Sequence, residues 1–331
     1  LYFLKNTDLL PGSDRVVLEV RDASTGRVEK RIDLARGADY DIDEIQGRII
    51  LNRPLAQITR ENLPTLTRDA PQDGFRQMLL VDYEYVPVGM FDDDQLTAGF
   101  RGRRWLGQHV AVGATYVDEN RRGDDYSLRG ADLTLQQGRG TFVKFEHSET
   151  KATSAPVFFS DNGGLSFNEV NGGLGPRSGD ANAIEARANF KELGWTEMDW
   201  SAGAWWRDID PGFSISRADT GAAIEEYGAE VLGQFAPDLG VYARFSEATR
   251  DAESLRQAQV TGEWRVNEAS TLSAELRQVD EDRLSGQAIG TLAALKYQRR
   301  VSDTFDVYGI GQLPVDDDGG AYEDNDALTV G

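Results

Sequence analysis

The sequence predicts an all-β protein, in which a small β-sandwich-like domain precedes an antiparallel transmembrane β-barrel of about 14 or more strands. Three observations predict this class. Apolar and polar residues alternate in many successive segments from about residue 77 onward. Short and long connections alternate between these segments. The chain is also too polar to cross a membrane as helices, with a mean hydropathy of −0.48.

The alternation is clearest in residues 184–191. Every second residue is apolar, namely Ile184, Ala186, Ala188 and Phe190. The residues between and after them are polar, namely Glu185, Arg187, Asn189 and Lys191. Because successive side chains of a strand point to opposite faces, this segment has one apolar and one polar face. Repeated hairpins of this kind, with unequal loops at their two ends, are typical of a transmembrane barrel whose apolar face contacts lipid.

Composition excludes several other classes. The chain has 331 residues, of which 40% are hydrophobic, and it contains no run of the roughly 18 apolar residues that a membrane helix needs. A net charge of −21 argues against nucleic-acid binding, which requires a basic surface. The chain has no cysteine, which excludes disulfide and thiolate chemistry. It has no initiator Met or signal peptide and stops within an expected strand, so we expect a piece of a longer protein.

Two domains are expected. Residues 1–74 should form the small domain and a linker, with one hairpin from residues 15–20 to 28–34 and another from residues 39–43 to 48–51. Residues 75–331 should form part of the barrel, with further strands expected outside this sequence. Its provisional strands are residues 77–88, 95–105, 109–118, 126–137, 140–149, 182–192, 196–207, 222–235, 239–249, 254–266, 271–281, 286–300, 304–315 and one that opens at about residue 323.

The connections predict which side of the membrane each end of the barrel faces. Short turns alternate with long loops, among them residues 119–125, 150–181 and 208–221. In outer-membrane barrels the short turns face the periplasm and the long loops face outside. Counting residues 77–88 as the first barrel strand therefore predicts that the small domain lies in the periplasm.

The two faces of the strands give the candidate site residues. The polar face is expected to line the lumen, with Lys144, Glu146, Glu185, Arg187, Arg207, Arg244, Glu263, Arg265, Glu275, Arg277 and Lys296. The apolar face is expected to contact lipid, with Val143, Phe145, Ile184, Phe190, Val241, Phe245, Val260, Leu272 and Leu276. Charges of both signs along a lumen fit either a watery channel or a closed, salt-bridged interior.

Large aromatic residues cluster where strands meet the short turns. Such rings favour the headgroup level of a membrane, so we predict an interfacial girdle of Trp105, Trp195, Phe235, Trp264 and Phe305. An alternative is that these rings cap a soluble β-core. Loop 150–181 is too long for a simple connection. It is expected to constrict the barrel, cover its mouth or bind an external partner, and the first two roles are favoured.

Few residues indicate catalysis. His109 and His147 are isolated among strand residues, which favours wall positions over a metal site or a catalytic base. No Gly-x-Ser-x-Gly motif occurs, so no catalytic, cofactor or specific metal site is predicted and the protein is not expected to be an enzyme. Acidic clusters at residues 92–94, 124–125, 280–282, 316–318 and 323–326 lack the spacing of a calcium loop. They predict a solvated surface, loosely bound Ca²⁺ in the outer loops, or divalent bridging to lipopolysaccharide.

Part of the chain resembles a known module. Residues 11–16 (PGSDRV), 37–43 (GADYDID) and 47–51 (GRIIL), followed by Pro54 and Leu55, resemble a small Ig-like β-module of very large Gram-negative outer-membrane proteins, including the translocon barrel of the type IX secretion system. The chain from residues 161–167 (DNGGLSF) onward resembles the barrel half of large repeat-domain outer-membrane proteins. The resemblance implies a large barrel in the cell envelope, and it implies no substrate or catalytic residue.

The leading expectation is a porin-like channel or a translocon that passes solute or polypeptide across the outer membrane of a Gram-negative bacterium. A barrel this wide has more interior space than its own side chains fill. The alternatives are a non-conducting anchor for a larger envelope or surface assembly, a soluble β-solenoid or adhesin, and an outer-membrane hydrolase. The expected partners are outer-membrane lipid, lipopolysaccharide and envelope proteins, without nucleic acid.

Overall fold

A computed structural model describes residues 1–22, 28–55, 75–86, 97–120, 125–152, 158–169, 177–215, 221–284, 286–302, 305–318, 322 and 325–331. These residues fall into two compact units. The small unit has described residues from 1–55, 75–86 and 158–169, and the large unit has those of 97–152 and from 177 onward. All the secondary-structure elements with described bounds are β-strands.

The small unit contains three sheets. Its strands are β1 (Tyr2–Phe3), β2 (Arg15–Asp22), β3 (Val28–Asp33), β4 (Tyr40–Asp43), β5 (Arg48–Leu51), β6 (Phe75–Asp82), β11 (Phe158–Phe159) and β12 (Asn168–Glu169). Two of the sheets have three strands each, in the orders β1-β5-β4 and β3-β2-β6, and β11 pairs with β12. The two predicted hairpins, β2–β3 and β4–β5, are confirmed by antiparallel pairing.

An apolar core joins the two three-stranded sheets. Val16, Leu18 and Val20 alternate along β2 and are at most 1% exposed, and they cluster with Tyr40 of β4 and Ile49 of β5. The other face of β2 is covered as well, since Val17 is 5% exposed and Glu19 is fully buried. The two buried faces support the sandwich-like arrangement predicted for this region.

One charged side chain, Glu19, is fully buried on the other face of β2. Its carboxylate accepts hydrogen bonds from Arg21 at 2.6 and 2.9 Å and from Arg31 at 2.7 Å. Burial by itself raises the pKa of Glu19, but the two guanidinium groups together hold that pKa below its ordinary value. The carboxylate is therefore kept ionised by partners whose own heads reach solvent.

The turn between β4 and β5 depends on Gly47. Its φ is +61°, a conformation that side chains rarely adopt. A Cβ atom there would also collide with the carbonyl oxygen of Asn6. The turn of the predicted hairpin from residues 39–43 to 48–51 therefore depends on this glycine, and the close approach of the N-terminal segment adds a second reason for the residue type.

The prediction that residues 77–88 form the first barrel strand is wrong. Phe75–Asp82 pairs with β2, and Leu79 and Val81 pack against the core of the small unit. Alternating residues suit either sheet, so the local pattern did not distinguish the two. The predicted domain boundary at residue 75 and the periplasmic position of the small domain both depended on this strand, and both lose that support.

The large unit is one antiparallel sheet of 13 strands. These strands are β7 (Thr97–Leu106), β8 (Val110–Glu119), β9 (Tyr126–Gly138), β10 (Thr141–Lys151), β13 (Ser178–Asn189), β14 (Trp200–Ile209), β15 (Ile224–Ala236), β16 (Leu239–Arg250), β17 (Glu253–Asn267), β18 (Ser270–Arg283), β19 (Gly286–Ser302), β20 (Phe305–Asp318) and β21 (Ala327–Val330). They correspond to the predicted strands after residue 88. The strands follow chain order, with β10 next to β13.

The sheet has two ends and two edges. One end carries short connections, such as those from Leu106 to Val110 and from Gly138 to Thr141, and the other carries the longer ones. We call these the short-turn end and the long-loop end. Among the described strands, β7 and β21 form the two edges and do not pair with each other, so the structure contains an open 13-stranded antiparallel sheet, and the barrel stays a prediction.

Candidate functional site on the two faces of the large sheet

Strand register sorts the side chains of the large sheet into an apolar face and a polar face. Directly opposite residues of neighbouring strands lie on the same face. One row of opposite residues crosses eight strands, from β13 to β20, and consists of Ala188, Ala202, Val231, Ala243, Val260, Leu276, Ala293 and Leu313. Another row crosses six strands, with Val143, Ala186, Ala204, Ala229, Phe245 and Ala258. These rows define the apolar face.

The predicted lipid-facing residues all lie on this apolar face. The strand residues among them share it by register, namely Val143, Phe145, Ile184, Val241, Phe245, Val260, Leu272 and Leu276. Phe190 continues the alternation just beyond β13, where its N–H donates to the carbonyl of Trp200 at 2.8 Å. The register therefore places the set on one face, and contact with lipid stays a prediction.

This apolar face is exposed. Val260, Leu276, Leu295 and Leu313 are each between 53% and 55% exposed, and they lie on four neighbouring strands, β17 to β20. A monomeric soluble protein rarely leaves a contiguous apolar patch of this kind uncovered. The exposed rows thus indicate a surface that another apolar phase or partner covers.

A charged row bounds the apolar face toward the long-loop end. Tyr227, Glu247, Arg256 and Asp280 are opposite one another on β15 to β18. The guanidinium of Arg256 lies 2.9 Å from a Glu247 oxygen and 3.8 Å from an Asp280 oxygen. On β16 and β17 this ionic row lies two residues beyond the apolar pair of Phe245 and Ala258, so the apolar face ends there.

The predicted lumen-facing residues all lie on the opposite, polar face. Their register connects Lys144, Glu146, Glu185, Arg187, Arg207, Arg244, Glu263, Arg265, Glu275, Arg277 and Lys296 through direct cross-strand pairs and period-two alternation. The separation of the two candidate sets by face follows from the period of a strand. Whether water lies against the polar face is a separate prediction.

In the middle of β17 and along β18, burial of the two faces is the reverse of that in a soluble sheet. On the polar face, Glu275 and Arg277 are each 4% exposed and Gln257 is 9% exposed. Leu276 of the apolar face lies between these two charged residues in sequence and is 53% exposed. Charged groups are costly to bury unless they are paired, so the polar face must provide their partners.

One group of partners surrounds Trp205 on the polar face. Its indole N–H donates to Glu226 Oε1 at 3.1 Å, and Glu226 also accepts from Arg207. The guanidinium of Arg244 lies over the indole ring, 5.0 Å from its centroid. The ring itself covers Gly228, where a Cβ atom would collide with it. This aromatic residue on the polar face was missed by sequence reasoning, although its alternation with Trp206 could have indicated it.

Further hydrogen bonds extend this network along the face. Arg187 donates to Glu230 at 3.2 Å, and Glu230 also accepts from the hydroxyl of Tyr242 at 3.4 Å. Glu275 accepts from Thr261 at 3.0 Å and from Gln259 at 3.2 Å. Side chains of β13 to β18 therefore bond to one another across the polar face, as in a salt-bridged interior.

A segment at the long-loop end folds over the polar face of β9, β10 and β13. Ser214, between β14 and β15, is fully buried; its N–H donates to Thr150 Oγ1 at 3.0 Å, and its carbonyl accepts from Tyr126 at 2.9 Å. The neighbouring Phe213 is 5% exposed and lies against Gly179, where a Cβ atom would collide with its backbone. We call residues 210–215 the cover segment.

A second covering contact comes from the connection between β20 and β21. Tyr322 is 4% exposed and packs with Leu255, Val279 and Leu292 of the polar face. Its hydroxyl donates to Glu281 at 3.0 Å, and its ring covers Gly290. Sequence reasoning missed both covers, because a loop carries no periodic pattern to show which face it folds onto.

The predicted girdle residues all lie at the short-turn end, and their contact with a membrane interface stays a prediction. Trp195, Phe235, Trp264 and Phe305 lie at the short-turn end and are 46–70% exposed. Trp105 is at the same end, but its register with Ala111, Thr134 and Lys144 places it on the polar face. There Arg103 lies over its ring, with its guanidinium carbon 5.3 Å from the centroid. Trp105 therefore lies on the face opposite to the predicted lipid-facing residues.

The described part of loop 150–181 contacts the small unit's N-terminal strand. Phe3 donates its N–H to the carbonyl of Gly163 at 2.8 Å, and Lys5 Nζ lies 2.9 Å from the centroid of Phe158. Gly164, with φ +91°, leaves no room for a side chain against the Phe3 backbone. The hairpin β11–β12 belongs to the small unit, so the contacts described for this loop differ from those of the predicted constriction.

The remaining candidate groups have structural partners. His109 Nδ1 donates to the carbonyl of Gln136 at 2.9 Å, and His147 Nδ1 donates to Asn182 Oδ1 at the same distance. Within the part of the chain that the structure describes, no three His, Asp or Glu side chains are placed to hold a metal ion. Of the predicted acidic clusters, residues 92–94 lie outside the described residues, and so do 124 and 323–324.

In the described residues, no helix has the length and apolar character needed to span a bilayer. Comparison with known proteins gives no match to a protein-family profile and none to a curated protein.

Proposed function

We propose that the large sheet is part of the wall of an outer-membrane β-barrel, with lipid against its apolar face and the barrel interior against its polar face. The observation that carries this proposal is the reversed burial. Leu276 is 53% exposed, whereas its sequence neighbours Glu275 and Arg277 are each 4% exposed. A strand in water gains free energy by the opposite arrangement, since burying a leucine contributes roughly 1.5–3 kcal/mol.

The dimensions of the apolar face support the same proposal. In β14 and β16, four alternate residues on this face are apolar, as in Trp200, Ala202, Ala204 and Trp206. Four alternate residues span about 20 Å along a strand. Outer-membrane barrels present an apolar band about 25 Å tall. The ionic row of Glu247, Arg256 and Asp280 then lies where headgroups begin.

The leading activity that we propose is passage of solute or polypeptide through the interior. A barrel with this many strands is wide enough to leave space beyond its own side chains. The cover segment and Tyr322 both fold over the polar face from the long-loop end, so the narrowest part of such a path would lie there. Loop 150–181, the predicted constriction, has its described contacts elsewhere.

Without residues 77–88 in the large sheet, the proposed position of the small unit changes from the periplasm to the outer side of the membrane. The first strand of the large sheet begins at Thr97, at the long-loop end. Long loops face outward in outer-membrane barrels. We therefore propose that the chain before Thr97 lies on the outer side, where a protease added to intact cells would cleave it.

Reconstitution tests the membrane proposal. The refolded chain should float with phospholipid vesicles in a density gradient, and its gel mobility in detergent should shift on heating. Open-channel steps in a planar bilayer would then support passage. A chain that stays in solution without detergent, and sediments away from vesicles, would contradict the proposal.

A non-conducting anchor is the second candidate, and a specific observation favours it. The polar side chains of β13 to β18 bond to one another across the wall, and Arg277, Glu275 and Gln257 are nearly inaccessible. An interior filled in this way would block solute. A protein that inserts in vesicles but gives a silent bilayer and retains envelope partners on purification would favour the anchor.

A further inference from the structure

The edge strand β7 is almost fully open. Nine of its ten residues are exposed, including Phe100 at 65% and Leu106 at 54%. Its ladder joins it to β8 on one side, and no described strand lies on the other. In a bilayer each unpaired backbone group costs several kcal/mol, so an edge in the membrane requires a partner.

Strand direction decides what that partner is. All neighbours in the sheet are antiparallel, and 13 is an odd number, so β7 and β21 run in the same direction. Direct closure would therefore pair them in parallel. An all-antiparallel closure needs at least one strand between them that runs from the short-turn end to the long-loop end.

A second copy of the chain does not supply this direction. Copies with the same orientation in one membrane would bring β21 of one copy beside β7 of the next, which again gives a parallel junction. Two β7 edges related by an in-plane axis would be antiparallel, but the long loops of the two copies would then lie on opposite sides of the membrane. The required strand is therefore of a different sequence from the described edges.

Charge indicates the chemistry of that strand. Arg101 and Arg103 lie on the polar face of β7, by register with Thr115 and Gly113. Arg103 is 3.9 Å from Asp132, whereas Arg101 forms no ion pair with a described residue. Opposite charges directly across a strand pair stabilise it, and like charges destabilise it.

We propose that β7 is a docking edge for an acidic, amphipathic β-strand that runs antiparallel to it. On the docking strand, carboxylates two residues apart face Arg101 and Arg103. Its apolar side chains continue the face that carries Phe100 and Leu106, on which Arg104 also lies. The inference rests on the proposed membrane wall for its account of closure, and the docking itself is measurable without a membrane.

Disulfide capture tests the proposal, since the chain has no cysteine of its own. Gly99→Cys and Leu106→Cys place single thiols near the two ends of β7. A Cβ atom at Gly99 meets only ordinary contacts of 3.8 Å. The probes are synthetic peptides of about ten residues that alternate Val with Glu, or Val with Lys, and carry one cysteine at either end. The full chain is refolded in detergent and linked products are read on a non-reducing gel.

The Glu peptide should link about tenfold more than the Lys peptide, because two cross-strand charge pairs change from attraction to repulsion. Its N-terminal cysteine should select Leu106→Cys, and its C-terminal cysteine Gly99→Cys. Arg101→Glu should reduce the preference for the Glu peptide, and Arg139→Glu, at an exposed turn between β9 and β10, should leave it unchanged.

Three results would overturn the proposal: equal linking of both peptides, the reversed end preference, or no linking of either peptide because the arginines only keep the edge unpaired. Vesicle flotation is measured on the same variants. A chain that floats with vesicles but does not link to the peptide contradicts the docking edge and not the proposed function. A chain that captures the peptide but never enters vesicles contradicts the membrane wall alone.

Discussion

The two units of this chain use the same strand period for opposite purposes. In β2 of the small unit, apolar Val16, Leu18 and Val20 are buried in a core. In β18 of the large unit, apolar Leu276 is exposed while charged Glu275 and Arg277 are buried. Alternation therefore fixes which residues share a face, and the surroundings fix which face is covered.

The difference also appears in how each unit treats a buried charge. Glu19 of the small unit is an isolated carboxylate whose two arginine partners reach solvent. The large sheet instead buries many polar groups that bond to one another along its polar face. A single buried charge suits an otherwise apolar core, and a network suits a face that is polar throughout.

The largest effect is expected from the core of the small unit. Leu18→Ala should destabilise this unit by about 2–5 kcal/mol, because the leucine is fully buried and its removal leaves a cavity. Ile50→Ala is the matched control, since Ile50 is 49% exposed on β5. Amide hydrogen exchange of residues 15–22 measures the loss. Equal exchange in the two variants would contradict the assignment of this core.

The next effect separates the two faces of the large sheet. Leu276→Arg should cost about 2–4 kcal/mol in vesicles if its face contacts lipid, whereas Leu232→Arg on the polar face should cost under about 1 kcal/mol. The two leucines are 53% and 56% exposed, so a soluble sheet would tolerate both changes equally. Urea unfolding in vesicles, followed by tryptophan fluorescence, gives the comparison. Equal losses would remove the argument for a lipid-facing side.

Glu19 predicts a pH dependence confined to the small unit. The pKa of this carboxyl is lowered from 4.5 in the folded state. Its contribution to the free energy of unfolding is therefore complete above about pH 4.5 and is lost as the pH falls through the lowered value. Glu19→Gln should flatten this part of the profile, measured by hydrogen exchange of β2 at several pH values. An unchanged slope would show that the ion pairs do not stabilise the fold.

The smallest effect concerns the cover segment. Tyr126→Phe removes the hydroxyl that bonds to the carbonyl of Ser214, a loss of about 1 kcal/mol or roughly fivefold in opening. The reporter is Ser214→Cys, whose thiol should react slowly with a charged thiol reagent in the folded chain and faster in the double variant. Glu268→Cys, on an exposed turn, is the control for intrinsic reactivity. Fast labelling of Ser214→Cys by itself would show that the segment does not cover the face.

Much of the fold could be predicted from local pattern. The 13 strands of the large sheet correspond to predicted ones because alternation persists over each strand, as from Leu239 to Phe245. Strand ends were less certain, since residues 196–199 precede the observed start at Trp200. The error at residues 77–88 arose because Leu79 and Val81 alternate equally well in a small sandwich and in a barrel wall.

The candidate site divides in the same way. Placement of residues such as Lys144 and Phe145 on opposite faces follows from parity along one strand. The contacts of Tyr126 with Ser214, which lie 88 residues apart, do not. The position of Trp105 at a short turn predicted its end of the sheet and left its face open.

By itself, the sequence determined the strands, the two faces and the absence of cysteine chemistry, because each of these depends on residue type or on neighbours within a few positions. Only the tertiary structure decided that Phe75–Asp82 pairs with β2, that loops cover the polar face, and that the polar side of β18 is the buried one. These features depend on contacts between residues far apart in the chain. A pattern of period two does not predict which distant residues make those contacts.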